Sequence, residues 1–206
     1  MDSLVTDPPP GKPAATRAVA RVLTEVFAPA VLAAVLPLVI GLHAAGSPVR
    51  GLGWGLLASL FCAVIPYAMI LRGVRRGRLS DRHIGERSQR TGPLLFGLGS
   101  VLAGLALLLA THAPRELVAL VVASFAGGVV ATGINHFWKS SVHAGVAAAS
   151  AVVLVLVYGP ALLATVVVVA AVGWSRVRLR DHTVAQVIAG AAIGAAIAGT
   201  VFGLLR

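Results

Sequence analysis

A succession of long apolar runs, each closed by a short polar segment, constrains this chain more than any other feature. Runs at 26–45, 53–71, 93–110 and 117–137 are followed by an apolar stretch at 144–174 and a last run at 183–205. At ~1.5 Å per residue, a helix of such length crosses the ~30 Å hydrocarbon layer of a bilayer. Residues 144–174 are too long for one span, and Tyr158-Gly159-Pro160 in their middle is a turn and helix-start signal. Divided there, the stretch becomes two short spans, 144–158 and 160–174. The expected fold class is all-α, a polytopic transmembrane helix bundle of six to seven spans, seven if this division holds.

Composition removes the alternatives. The chain has 206 residues, 58% of them hydrophobic and 12% charged, against about 25% charged in an ordinary soluble domain. A soluble globule of this length cannot bury so much apolar surface, and a chain this apolar does not stay disordered. The single cysteine, Cys62, sits inside an apolar run, which excludes a disulfide scaffold. Residues 1–22 read as a flexible polar tail, with the proline-rich segment Asp7 to Pro13 non-helical because proline lacks an amide donor. Residues 23–206 read as a single transmembrane domain.

The net charge of +10 falls between the apolar runs. Membrane anchoring therefore explains it, and no nucleic-acid partner is expected. With seven spans, Lys12, Arg17, Arg21, the seven arginines from Arg72 to Arg90, Lys139, Arg176, Arg178 and Arg180 share one side, leaving Arg50, Arg115 and Arg206 on the other. This bias directs the first side, with the N-terminus, to the cytoplasm of a multi-pass cell-membrane protein.

Three polar segments on that side carry residues able to do chemistry. In the last, Ser175-Arg176 precedes His182, and His182, Gln186, Gly190 and Gly194 recur every fourth residue, on one helix face. That spacing lets Gln186 reach the His182 ring and set its tautomer, and lets a neighbouring helix approach the glycines. Arg178 and Arg180 read as membrane anchors. In the second, Ser140-Ser141-Val142-His143 opens a helix whose N-terminus suits an anion, and His136 is positioned to line the same cavity. In the first, Arg72, Arg75, Arg76 and Arg78 suit contact with anionic headgroups, whereas Asp81, Glu86 and the later arginines suit a hydrogen-bonded network.

Taken in order, these segments resemble the type 2 phosphatidic acid phosphatase family, whose motifs read Lys-x6-Arg-Pro, Pro-Ser-Gly-His and Ser-Arg-x5-His-x3-Asp. Here they stand as His83-x6-Arg90-Thr91, Ser140-Ser141-Val142-His143 and Ser175-Arg176-x5-His182-x3-Gln186. The pattern also resembles a divergent, actinobacterial-like subgroup of membrane phosphatases. The resemblance covers about residues 70–200 and marks the membrane domain as phosphatase-like.

The resemblance implies a lipid phosphatase acting on a lipid phosphate or diphosphate, of polyprenyl phosphate or phosphatidic acid type. It implies His182 as nucleophile, forming a phosphohistidine, His143 as general acid, and Gln186 as the group orienting His182. His83, Arg90, Ser141 and Arg176 would hold the phosphate. Neither a metal nor another cofactor is implied, because arginines supply the positive charge around the phosphoryl oxygens. The expected partners are the lipid phosphate and membrane lipids; the small-residue spacing of the last helix serves intramolecular packing and homo-oligomer contacts equally. The chief departure is Gln186, where the family has aspartate. A glutamine carbonyl accepts the imidazole proton but does not stabilise an imidazolium as a carboxylate does. A catalytically silent relative that binds anionic lipid or supports a membrane complex is the alternative.

Overall fold

The computed structural model describes residues 12–84 and 86–206, apart from the side chains of residues 12, 13 and 87. Helices dominate: α1 (Lys12–Val26) and α2 (Pro29–Ala44) are followed by α3 (Pro48–Arg75), α4 (Thr91–Ala110) and α5 (Arg115–Phe137). Then come α6 (Val142–Tyr158), α7 (Pro160–Arg178) and α8 (Val184–Leu205). This is the expected all-α bundle. Val167 is 72% exposed and Ile188 63%, apolar faces that suit lipid and would be a liability in water.

Seven apolar helices, α2 to α8, run between two ends of the bundle. The far end is tied by the His43 and Tyr158 rings, 4.7 Å apart, and by Arg115 Nε donating to the Leu205 carbonyl at 2.7 Å. The opposite end gathers the loop before α4, the starts of α6 and α8, and the end of α7. Among the described residues five helices, α3, α4, α5, α7 and α8, are long and apolar enough to cross a membrane, or six if α1 and α2, bent by 45° to one another, count as one span. The division at Gly159 is real: its φ of +92° ends α6 in a conformation that favours glycine, and Pro160 starts α7. At 17 residues α6 is short for a span, but it lies inside the bundle, with Ala144, Ala147, Ala148, Ala151 and Val153 buried.

Two glycine seams set the closest helix pairs. A methyl group at Gly55 of α3 would stand 2.9 Å from Leu38 Cα of α2. On α8, Gly190 lies against the Ser141 carbonyl and Gly194 against the Gly145 carbonyl, both too close for any side chain. Within α3 the chain widens to a π-turn over Leu60–Val64 just before Pro66, which cannot donate to the preceding turn. Ser100 of α4 donates to the Phe61 carbonyl there at 2.6 Å.

The N-terminal expectation is corrected. Residues 1–11 of the tail lie outside the described residues, but from Lys12 the chain is helical. Pro13 stands in the first turn, where no amide donor is needed, so it starts the helix instead of preventing it. Ala20 and Thr24 are buried on the face of α1 that packs against α7.

Candidate functional site

The turn between α7 and α8 is built by local hydrogen bonds. The Asp181 amide donates to the Arg176 carbonyl at 3.0 Å and the Arg180 amide to that of Val177, also at 3.0 Å. This is a Schellman cap, with Arg180 in the left-handed position at φ +62° where glycine is usual. His182 follows, and Thr183 opens α8 with a capping box to Gln186. His182 therefore stands just outside the helix and not on its face as the four-residue spacing implies. It still reaches Gln186: Nδ1 lies 3.1 Å from Oε1. Because a neutral amide oxygen only accepts, Nδ1 carries the proton and Nε2 keeps its lone pair. Gln186 Oε1 also accepts from the Thr183 amide at 3.1 Å.

Ser141 caps α6, accepting from the Ala144 amide at 3.4 Å, and its own amide donates to the Gln186 carbonyl at 3.2 Å. The start of α6 is thus tied directly to α8, which carries His143 toward His182. His143 is buried, and its electrostatic neighbours are Arg176, His83, His182 and Arg90. Its ring centre lies 5.3 Å from that of His83. Arg90 is buried beside Arg176, and its Nε donates to the Ile84 carbonyl at 2.8 Å.

All seven expected site residues, His83, Arg90, Ser141, His143, Arg176, His182 and Gln186, therefore gather at one end of the bundle. His136 does not join them: it is exposed at the end of α5, its ring against Phe137. The segment from Asp81 to Arg90 is the hydrogen-bonded network that its acidic residues suggested. Asp81 Oδ1 accepts from the His83 amide at 2.7 Å, and Gln89 Oε1 accepts from the Ser80 amide at 2.9 Å.

Three partners were not visible in the motifs. Glu25 of α1 accepts with Oε1 from both Arg82 Nη2, at 2.7 Å, and His83 Nε2, at 3.0 Å. Thr24 lies 3.1 Å from the Ser175 hydroxyl, whose own proton goes to the Val172 carbonyl, so Thr24 is the donor. Asp181 pairs with Arg176 at 3.0 Å. Arg178, read as an anchor, donates to Thr16 of α1 at 2.9 Å. A cleft of about 370 Å³ opens here, lined by Arg21, Thr24, Glu25, His83, Arg176 and Asp181.

The electrostatics favour an anionic guest. Burial, opposed by the Gln186 hydrogen bond and reinforced by Arg176, Lys139 and Arg90, lowers the His182 pKa to about 4. His182 is therefore neutral near pH 7. Among the described residues, His143 Nε2 and Arg176 Nε are buried without a hydrogen-bond partner, a costly state that a bound acceptor or water relieves. No three His, Cys, Asp or Glu side chains among the described residues converge as a metal site.

Residues 122–206 match the family model described as PAP2 superfamily. The match includes Ser141, His143, Arg176, His182 and Gln186; His83 and Arg90 precede it. No curated protein and no solved structure matches the chain.

Proposed function

We propose that the chain, whose residues 122–206 match the PAP2 superfamily model, is an integral membrane lipid phosphatase working through a histidine nucleophile. That match supports a phosphoester hydrolase in general. The finer reading rests on one observation: Arg90, His143, Arg176 and His182, from four parts of the chain, are buried together at one end of the bundle. A purely structural protein has little use for so much buried positive charge and imidazole.

In the proposed reaction the phosphate sits between Arg90 and Arg176, with His83 and Ser141 at its edge, and its lipid tail remains in the bilayer. The His182 Nε2 lone pair attacks phosphorus. The P–N bond forms as the P–O bond to the lipid breaks, and His143 gives the leaving oxygen a proton from Nε2. Water then attacks the phosphohistidine, His143 takes its proton, and the P–N bond breaks to release phosphate. The arginines stabilise charge on the equatorial oxygens throughout, so no metal is needed. The substrate is a lipid phosphate or diphosphate. The excess of Lys and Arg at the site end supports a cytoplasmic face.

Phosphate release from a panel of lipid phosphates, by detergent-purified protein in EDTA, tests this reading. Release by the wild type and none by His182→Ala is expected. No release from folded wild-type protein would favour the silent lipid-binding relative, for which the neutral Gln186 is the specific argument. Sidedness is tested by labelling Arg78→Cys, an exposed loop position, in a Cys62→Ala background in intact cells; labelling from outside by an impermeant reagent would overturn the cytoplasmic assignment.

A further inference from the structure

A second groove, of about 670 Å³, lies between the end of α3 and the first turns of α4, and it shares no lining residue with the cleft at the site. One wall is a single helical stripe, because Ala68, Met69, Arg72, Arg75 and Arg76 recur at three- and four-residue spacing. Phe96 of α4 also lines it. The stripe changes character along its length: it is apolar toward the middle of α3 and carries three guanidinium groups at the loop end.

Those three arginines are exposed, and among the described residues none of them makes an ion pair or a side-chain hydrogen bond. Nearby carboxylates are engaged elsewhere: Glu25 with Arg82 and His83, Glu86 with Gln89, and Asp81 with the His83 amide. Because α3 is long and apolar enough to cross a membrane, this groove meets lipid along its apolar half and headgroups at its basic half.

We propose that the groove binds one anionic diacyl phospholipid. An acyl chain lies along Ala68, Met69 and Phe96, and the phosphate is held by Arg72, Arg75 and Arg76. Guanidinium forks pair with phosphate oxygens bidentately. Three guanidinium cations exceed what one phosphate neutralises, so a headgroup bearing its own cation is disfavoured and a net negative lipid is selected. The occupant is a lipid and not a soluble anion, since the apolar half would gain nothing from the latter.

Native mass spectrometry of the full chain in detergent, with phosphatidylglycerol or phosphatidylcholine added, tests this. Phosphatidylglycerol is a phosphodiester, so its binding is independent of phosphomonoester hydrolysis. Wild-type protein is expected to retain one phosphatidylglycerol in preference to phosphatidylcholine. Replacing Arg72, Arg75 and Arg76 together by alanine should cut retention about tenfold or more, while Arg50→Ala at the far end leaves it unchanged. Ala68→Trp, which fills the apolar half with the arginines intact, should also release the lipid. Equal retention by the triple variant, or no preference over phosphatidylcholine, would overturn the proposal. Loss of the lipid in His182→Ala would do so too, by placing it in the other site.

Discussion

Gln186 Oε1 holds His182 Nδ1 and the Thr183 amide at the same distance, 3.1 Å, so one oxygen both orients the imidazole and caps the helix behind it. The two tasks separate by substitution. Gln186→Ala loses both and is expected to cost about 1 kcal/mol of stability through the broken capping box, together with most of the activity. Thr183→Ala loses a similar amount of stability but keeps the His182 contact and most turnover. Gln186→Asp is expected to raise kcat by about tenfold or more, since a carboxylate stabilises the imidazolium that a neutral amide does not. Thermal unfolding and phosphate release, measured on the same preparations, check all three. Unchanged turnover in folded Gln186→Ala would reject the orienting role, and a fall in kcat in folded Gln186→Asp would reject the gain expected from a carboxylate.

The pH profile follows from His182. Its pKa is lowered to about 4, and only the neutral ring has a lone pair to attack phosphorus. Protonation therefore removes the nucleophile below about 4, and not near the ordinary histidine value of about 6.5. The His182 limb of kcat/KM, which reports the free enzyme, is expected at that low pH. A bound phosphate favours the imidazolium, so the corresponding limb in kcat should lie higher. Initial rates over a wide acidic range distinguish the two, and coincident limbs near the ordinary value would contradict the burial of His182.

The seam between α6 and α8 leaves no room for a methyl group. Gly190→Ala would press on the Ser141 carbonyl, next to the amide that ties α6 to Gln186. It is expected to cost about 1–3 kcal/mol as an overpacked contact, and to lower activity further by moving His143 away from His182. Gly199→Ala on the same helix meets nothing within 4 Å and should leave both unchanged. Unfolding in detergent and turnover are the measurements.

Glu25 joins α1 to His83. With Glu25→Ala the His83 ring loses the contact that fixes it, and the KM for a lipid phosphate is expected to rise about fivefold with less change in kcat, as for a lost binding interaction. Arg82→Ala removes the exposed half of the same bridge and should leave KM within about twofold. Equal effects of the two variants would mean that α1 contributes stability alone.

Arg180 holds a left-handed conformation at φ +62°. Arg180→Gly is expected to stabilise the protein by up to about 1 kcal/mol, because glycine adopts that conformation without a steric penalty. Arg180→Val should destabilise it, since a β-branched residue tolerates the conformation least. Thermal unfolding of the pair orders them, and the reverse order would contradict the Schellman cap.

Much of this was legible in the chain itself, because the information is local. Hydropathy marks every helix from α2 to α8, and Gly159-Pro160 marks the break between α6 and α7, since a positive-φ glycine followed by a ring-fixed proline has one structural outcome. The spacing of His182 and Gln186 also names a pair that meets. The helix over residues 12–22 is not legible in this way, because proline at a helix start looks, in sequence, like proline that forbids a helix. Tertiary structure alone decided what reaches the site from afar. Thr24 meets Ser175 across 151 residues and Glu25 meets His83 across 58, contacts created by helix packing that leave no periodic trace. It also decided that Asp181 pairs with Arg176 and that His136 faces outward. Both depend on where the chain turns at the end of a helix, and a single residue of rotation there moves a side chain by about 100°.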